Sequence, residues 1–230
     1  MLDSFLSIFR LVKKAEEIED RIARKAATNH PLKNLVYFVI AGICMLFFTL
    51  MVIFAMNNPR IFFKDQHFPK LFFASTVLIV VSSYFIEHVR KAFDKENAKK
   101  MMDYLFITML LAVGFAITQG YSWKELWDSH ITLFSVGENS AGKKLPEAST
   151  PDGGFLFVIS GLHLLHLAAG LIFLFAAMFK VVHVRGDDVR GVIYFSNRLE
   201  KARIEMLAKY WHFLGGLWVV LCIYFLCFFI

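Results

Sequence analysis

Five long stretches of the chain are almost free of charge: about Leu35 to Met56, Phe68 to Ile86, Met101 to Gln119, Gly154 to Phe179 and Tyr210 to Ile230. Crossing hydrocarbon as a helix takes about 20 predominantly apolar residues, and each stretch approaches or exceeds that length. None alternates with a period of two, so strands are not expected. Pro69 would fall in the first turn of the second stretch, where its missing N–H costs nothing. The pattern predicts an all-α bundle of five transmembrane helices. The segment before it differs. Leu2, Phe5, Phe9, Val12, Ala15, Ile18, Ile22 and Ala26 recur at steps of three and four, with charged residues between them. That periodicity predicts an amphipathic helix lying on the membrane surface or against a partner. It lacks the apolar core and cleavage site of a signal peptide, so the first span is expected to act as an uncleaved insertion signal. The chain therefore reads as an interfacial helix in residues 1–30 and one five-helix membrane domain in residues 31–230.

Composition agrees. Apolar residues make up 57% of the chain and aromatic residues 16%, against about 45–50% apolar in soluble domains. The net charge of +6 matters through its distribution. Of 25 Lys and Arg, 19 lie before span one, between spans two and three, or between spans four and five. By the positive-inside rule those segments are cytoplasmic and the C-terminus faces outward. A nucleic-acid partner is not implied. The longest external loop is expected from about Tyr121 to Asp152. Cys44, Cys222 and Cys227 sit in apolar runs without a ligand-like spacing, which points to packing rather than a disulfide or zinc site.

Ionisable residues within hydrocarbon are costly and each is a functional candidate. His163 and His166 share a helical face in GLHLLHLAAG, roughly 14–18 Å into the membrane at the helical rise. They could ligate a metal or haem, or donate hydrogen bonds to neighbouring helices. His212 is the other histidine placed to complete a haem site. Glu87 and His88 close span two as a solvated helix end or as a subunit or lipid-headgroup contact, Ser82 and Ser83 can bond within or between helices, and Glu205 stands just outside span five. Gly215-Gly216 is expected to mark a tight crossing, and Tyr210 and Trp211 to join the aromatic belt. No phosphate-binding loop, GxSxG or HExxH occurs.

At span four a family resemblance emerges. The run from Phe157 to His166, containing Ser160-Gly161-Leu162-His163-Leu164-Leu165-His166 and followed by Gly170, resembles the [TS]-G-x-H-x-x-H…G signature of subunit III of the haem-copper oxidases. Glu205, Tyr210-Trp211-His212-Phe213 and Trp218 resemble that family's E-x-x-x-x-Y-W-H-F…W pattern. Looser matches are Ser75-Thr76 with Ser82-Ser83, the Gln119, Tyr121, Trp123 exit of span three, and Met45-Leu46-Phe47 in span one. The likeness covers roughly residues 31–230 and is to the five-span bacterial form. Two positions depart from it: Ile43 and Gly215 stand where the family often has buried acids. If both positions face one interior, loss of one charge would permit loss of the other.

The resemblance implies a non-catalytic subunit of a proton-pumping oxidase that passes electrons from cytochrome c to oxygen. It implies no catalytic, cofactor or metal residues in this chain, with haem a and copper held by partner subunits. It also implies contact with subunit I, with subunit II, and with subunit IV where one exists, together with structural phospholipids and a bacterial plasma membrane location. Lys91, Arg203, Trp211 and His212 are the expected lipid contacts. Ser82, Ser83, Gly161, His163, His166, Gly170, Glu205, Tyr210, Trp211, His212 and Trp218 are the expected buried polar and motif positions. The N-terminal helix, outside the likeness, is an expected dock for a larger respiratory assembly. The competing readings are a quinol oxidase or nitric oxide reductase accessory subunit, a haem-bearing membrane protein, and a stand-alone transporter.

Overall fold

The computed structural model describes residues 31–57, 70–128, 137–138, 144–145 and 154–229. The expected interfacial helix of residues 1–30 lies outside them, as do Phe68 and Pro69. The described residues form α1 (Pro31–Asn57), α2 (Lys70–Asp94), α3 (Ala98–Asp128), α4 (Gly154–Val184), α5 (Asp188–Ser196) and α6 (Arg198–Phe229). A two-residue antiparallel pair, Gly137–Glu138 with Lys144–Leu145, is the extended structure among them. The five helices other than α5 are long and apolar enough to cross a membrane. The chain divides into Met1–Val39 and Ile40–Ile230, and the packing that follows is that of the second unit.

Helices α2, α3, α4 and α6 run past the ends read from hydropathy. α2 continues from Ile86 to Asp94 and α4 from Phe179 to Val184. α6 begins at Arg198 rather than near Tyr210. Charge ends an apolar run but does not end a helix that still has a face to bury. Val89, Ala92 and Phe93 on α2, Val181 on α4, and Ala202, Ile204 and Met206 on α6 are all buried. At its other end α3 runs on to Asp128, so the loop expected from Tyr121 begins later. Its last turns are held by Leu126, which is buried, and by Ser122, whose hydroxyl donates to the Thr118 carbonyl.

The turns explain where these extensions stop. Between α2 and α3, Glu96 adopts a left-handed φ of 54°, the conformation that closes a helix C-terminus. Asn97 then caps α3 by accepting from the Lys100 N–H at 3.0 Å. After α4, Asp187 accepts from the N–H groups of Val189 and Arg190 and starts the short helix α5, which the sequence pattern did not predict. Asn197 accepts from the Leu199 N–H and starts α6.

α2 packs against α3 and α6, α3 against α4, and α4 against α6. α1 is held through large rings: Phe47 meets His163 and His166 of α4, and Phe54 meets Tyr224 and Phe225 of α6. Outward positions such as Phe73, Leu110, Leu165, Ile172 and Ile223 are exposed and apolar, as a surface in contact with lipid or other membrane helices requires.

Candidate functional site

The polar groups inside the bundle follow one repeated arrangement. A serine or threonine returns its hydroxyl proton to its own helix and offers its oxygen to a donor on the next helix. Ser82 donates to the Ile79 carbonyl and accepts the Trp211 indole N–H at 3.0 Å. Thr76 donates to Phe72 and accepts the Trp218 indole at 3.1 Å. Ser160 donates to Leu156 and accepts the Trp123 indole at 3.0 Å. Ser75 also donates to Phe72, and accepts from Gln119 Nε2 at 2.9 Å. Each hydroxyl thus satisfies both roles without water. Three of the chain's four tryptophans serve as donors, tying α6 to α2 twice and α3 to α4 once.

The two motif segments meet on the remaining contact, between α4 and α6. The Tyr210 hydroxyl donates to the His166 carbonyl at 3.0 Å. Gly170 lies so close to α6 that a Cβ there would stand 3.1 Å from the Trp211 ring and 3.3 Å from the Tyr210 ring. His163 is fully buried, with its ring 5.2 Å from Trp218, 5.9 Å from Phe115 and 6.4 Å from Phe47. Neither of its nitrogens has a hydrogen-bond partner among the described residues. His166 turns Nδ1 toward its own helix, 2.7 Å from the Leu162 carbonyl. Among the described residues no group of three or more His, Cys, Asp or Glu gathers in metal-binding range.

His212 lies on the outer seam between α2 and α6, apart from the other two histidines. Its Nδ1 is hydrogen-bonded to the Ser83 hydroxyl, and its Nε2 stands 3.9 Å from the Glu87 carboxylate. Glu87 accepts from Arg90, Arg90 also reaches Asp94, and Asp94 pairs with Lys201 of α6 at 2.8 Å. This chain of charges runs to the end of the bundle that carries the turn into α3 and the link between α4 and α6. Lys91 is exposed at the same end, and Arg203 is exposed and bonded to Glu200. Glu205 is half-buried on α6.

Several expectations change. Trp211 is fully buried against Ser82 and Gly170, so it is neither a lipid contact nor part of an outer aromatic belt. The close crossing is at Gly170 and not at the glycine pair. A Cβ on Gly215 would make ordinary contacts with Ile79 and Ser83 at 3.7–3.8 Å, and one on Gly216 would meet open space. A Cβ on Gly161 would stand 3.7 Å from Trp123. Gly215 faces α2, whereas Ile43 is buried one turn from Phe47, whose ring lies on the α4 histidines. The two positions that lack the family's acids thus look toward different helices.

A second polar place was not legible in the sequence. A groove of about 420 Å³ opens where α4, α5 and α6 meet, with Lys180, His183, Arg190, Tyr194 and Glu200 among its walls. Lys180 bonds Glu200 at 2.8 Å, and Glu200 also accepts from Arg203. Tyr194 is 8% exposed, and its hydroxyl has no hydrogen-bond partner among the described residues. Burial, reinforced by the Glu200 carboxylate, raises its pKa above the ordinary tyrosine range, so it stays an O–H donor. The groove depends on α5, and a helix of nine residues is too short to announce itself through periodicity.

No family model matches the chain. It is similar to curated proteins named cytochrome c oxidase subunit 3. The Spodoptera frugiperda protein is 26% identical over 149 residues, which is 65% of this chain and 83% of that protein. Those of Aedes aegypti and Patiria pectinifera are each 25% identical over 149 residues, 65% of this chain and 47% of theirs. The match therefore spans about half the length of those two relatives.

Proposed function

We propose that this chain is the non-catalytic subunit III of a haem-copper terminal oxidase of the cytochrome c type, set in a bacterial plasma membrane with its N-terminus in the cytoplasm. Oxygen reduction and the haem a and copper centres belong to partner subunits. This chain packs against subunit I and stabilises it, with subunit II, and subunit IV where present, completing the complex. Phospholipid is a structural ligand, with Lys91, Arg203 and His212 as headgroup contacts on the basic face of the bundle.

One observation carries the reading beyond sequence similarity. The His163/His166/Gly170 segment and the Tyr210/Trp211/Trp218 segment form the two sides of a single helix contact. A pair of signatures that meet in space restricts one packing geometry, which is what a structural subunit needs. The histidines sit within that contact, His163 among rings and His166 against its own backbone. That arrangement favours packing over axial ligation.

Gentle affinity purification of the tagged chain from native membranes tests the proposal, with a subunit census and a reduced-minus-oxidised spectrum. Haem a bands together with a large haem-copper subunit are expected. A colourless single chain would overturn the reading, and haem bands from the isolated chain would make the histidines ligands.

A further inference from the structure

We infer that Ser83 and Glu87 of α2 and His212 of α6 form a proton-operated clasp, which closes the seam between the two helices when the imidazole is charged and slackens it when the imidazole is neutral. This inference rests on the helix packing and not on the oxidase reading.

Ser83 breaks the arrangement that the other hydroxyls follow. Ser75, Thr76, Ser82 and Ser160 each donate to a carbonyl of their own helix. Among the described residues the Ser83 hydroxyl is bonded to His212 Nδ1 and to no carbonyl. The other ring nitrogen, Nε2, stands 3.9 Å from the Glu87 carboxylate. A carboxylate on that side favours a proton on Nε2. Nδ1 of the neutral ring is then a bare lone pair, and the Ser83 hydroxyl donates to it. At 3.9 Å the Nε2–H falls short of a hydrogen bond to Glu87. In this form Ser83 alone bonds the ring to α2.

A second proton goes to Nδ1 and makes both ring nitrogens donors. Ser83 then accepts, and its own proton turns back to a carbonyl of α2, as those of Ser75, Thr76 and Ser82 already do. The cationic ring is drawn to Glu87, and a movement of about 1 Å brings the pair to hydrogen-bond distance. The seam thereby gains a charge-assisted bond between helices.

The charged neighbours leave Glu87 able to respond. Arg90 binds Glu87 but is shared with Asp94, and Asp94 is also paired with Lys201 of α6. Lys91 follows on α2, and Glu205 and Lys209 precede His212 on α6. α4 meets α6 on its opposite side, through Tyr210 and Gly170. Among the described residues Glu87 is the carboxylate within ion-pair range of the ring. The His212 side chain is 43% exposed, so protons reach it from the aqueous edge of the bundle. A histidine changes charge between about pH 5 and 8. The clasp is therefore closed in acid and opens as pH rises through that range.

The experiment measures hydrogen exchange by mass spectrometry on the complex purified with the tagged chain, at about pH 5.5 and about pH 8.5, either side of much of the histidine range. Intrinsic exchange rates are corrected for pH. Peptides from the seam segments of α2 and α6 report local opening. Their protection is expected to be about threefold higher in acid, the size of a partly exposed ion pair. His212→Gln keeps an amide to bond Ser83 but cannot take a charge, and it should lose the difference. Glu87→Gln should lose it too. His183→Gln, which alters another exposed histidine at the same end of the bundle, should keep it. Wild-type protection that does not change with pH would overturn the inference, as would the full difference in His212→Gln or in Glu87→Gln. Its loss in His183→Gln would place the sensor elsewhere and overturn it as well. Should Glu87→Gln disturb the bundle by stranding Arg90, His212→Gln at its exposed position still decides. The haem spectrum and subunit census of the same preparation report on the oxidase reading separately.

Discussion

Gly170 on α4 and Trp211 on α6 are in such close register that a methyl group on the glycine would stand 3.1 Å from the indole ring. The ring cannot swing away freely, because its N–H is bonded to Ser82 on the far side. Overpacking a site of this kind costs about 1–3 kcal/mol. Gly170→Ala is therefore expected to lower the unfolding midpoint of the detergent-solubilised protein. Gly161→Ala, with its nearest neighbour at 3.7 Å, should leave it nearly unchanged. Equal behaviour of the two variants would show that α4 and α6 are not so closely packed.

The indole bonds lend themselves to double-mutant cycles. Such bonds between membrane helices average about 0.6 kcal/mol and reach about 1.7 kcal/mol. The pair Trp211→Phe and Ser82→Ala should show a coupling in that range, and so should Trp218→Phe with Thr76→Val. Cross-pairing Trp211→Phe with Thr76→Val should give none. A coupling as large in the crossed pair would mean that the variants loosen the whole bundle.

His163 makes the opposite prediction. A buried polar group without a partner costs about 1–3 kcal/mol, and both nitrogens of this ring are in that position. His163→Leu, similar in volume and free of polar atoms, is expected to keep or raise stability. It should also leave the reduced-minus-oxidised spectrum of the purified complex unchanged. Loss of haem bands would make the residue a ligand, and a large loss of stability would point to a polar partner.

Tyr194 offers a pH test. Its folded-state pKa is raised by burial and by Glu200, so above the ordinary tyrosine value near 10 the folded protein holds this proton more tightly than the unfolded chain. Its contribution to stability is constant below that value and is lost as pH rises above it. Tyr194→Phe should flatten the alkaline part of the stability curve and keep or raise the neutral part, because it removes a buried hydroxyl that has no partner among the described residues. Indistinguishable alkaline limbs would show that the hydroxyl is solvated.

The five spans were legible because hydrocarbon demands long apolar runs, and the motif histidines because charge inside such runs stands out. Helix ends were less so. Val89 and Phe93, or Ala202 and Ile204, are apolar residues set among charges, and only their packing shows that the helix continues. Trp211 was read as a belt residue because sequence gives depth but not azimuth, and its burial follows from the side of α6 that meets Ser82. Ser160 and Trp123 both stand in segments that carry the resemblance, but nothing in the sequence pairs them across α3 and α4. Their pairing depends on tertiary contact.

The hydroxyl arrangement also bears on how the chain is made. Ser82 and Trp211 are 129 residues apart, and Thr76 and Trp218 are 142 apart. When α2 first enters the bilayer its indole partners have not yet been synthesised. The hydroxyls are nevertheless safe in lipid, since Ser82 and Thr76 already donate to carbonyls of their own helix. What waits is only an oxygen lone pair, a cheap thing to leave idle. For these two bonds the costly half, the indole N–H, arrives with α6 and finds its acceptor in place, so neither donor is stranded during insertion; Trp123 of α3 is the reverse case, since its acceptor Ser160 follows on α4.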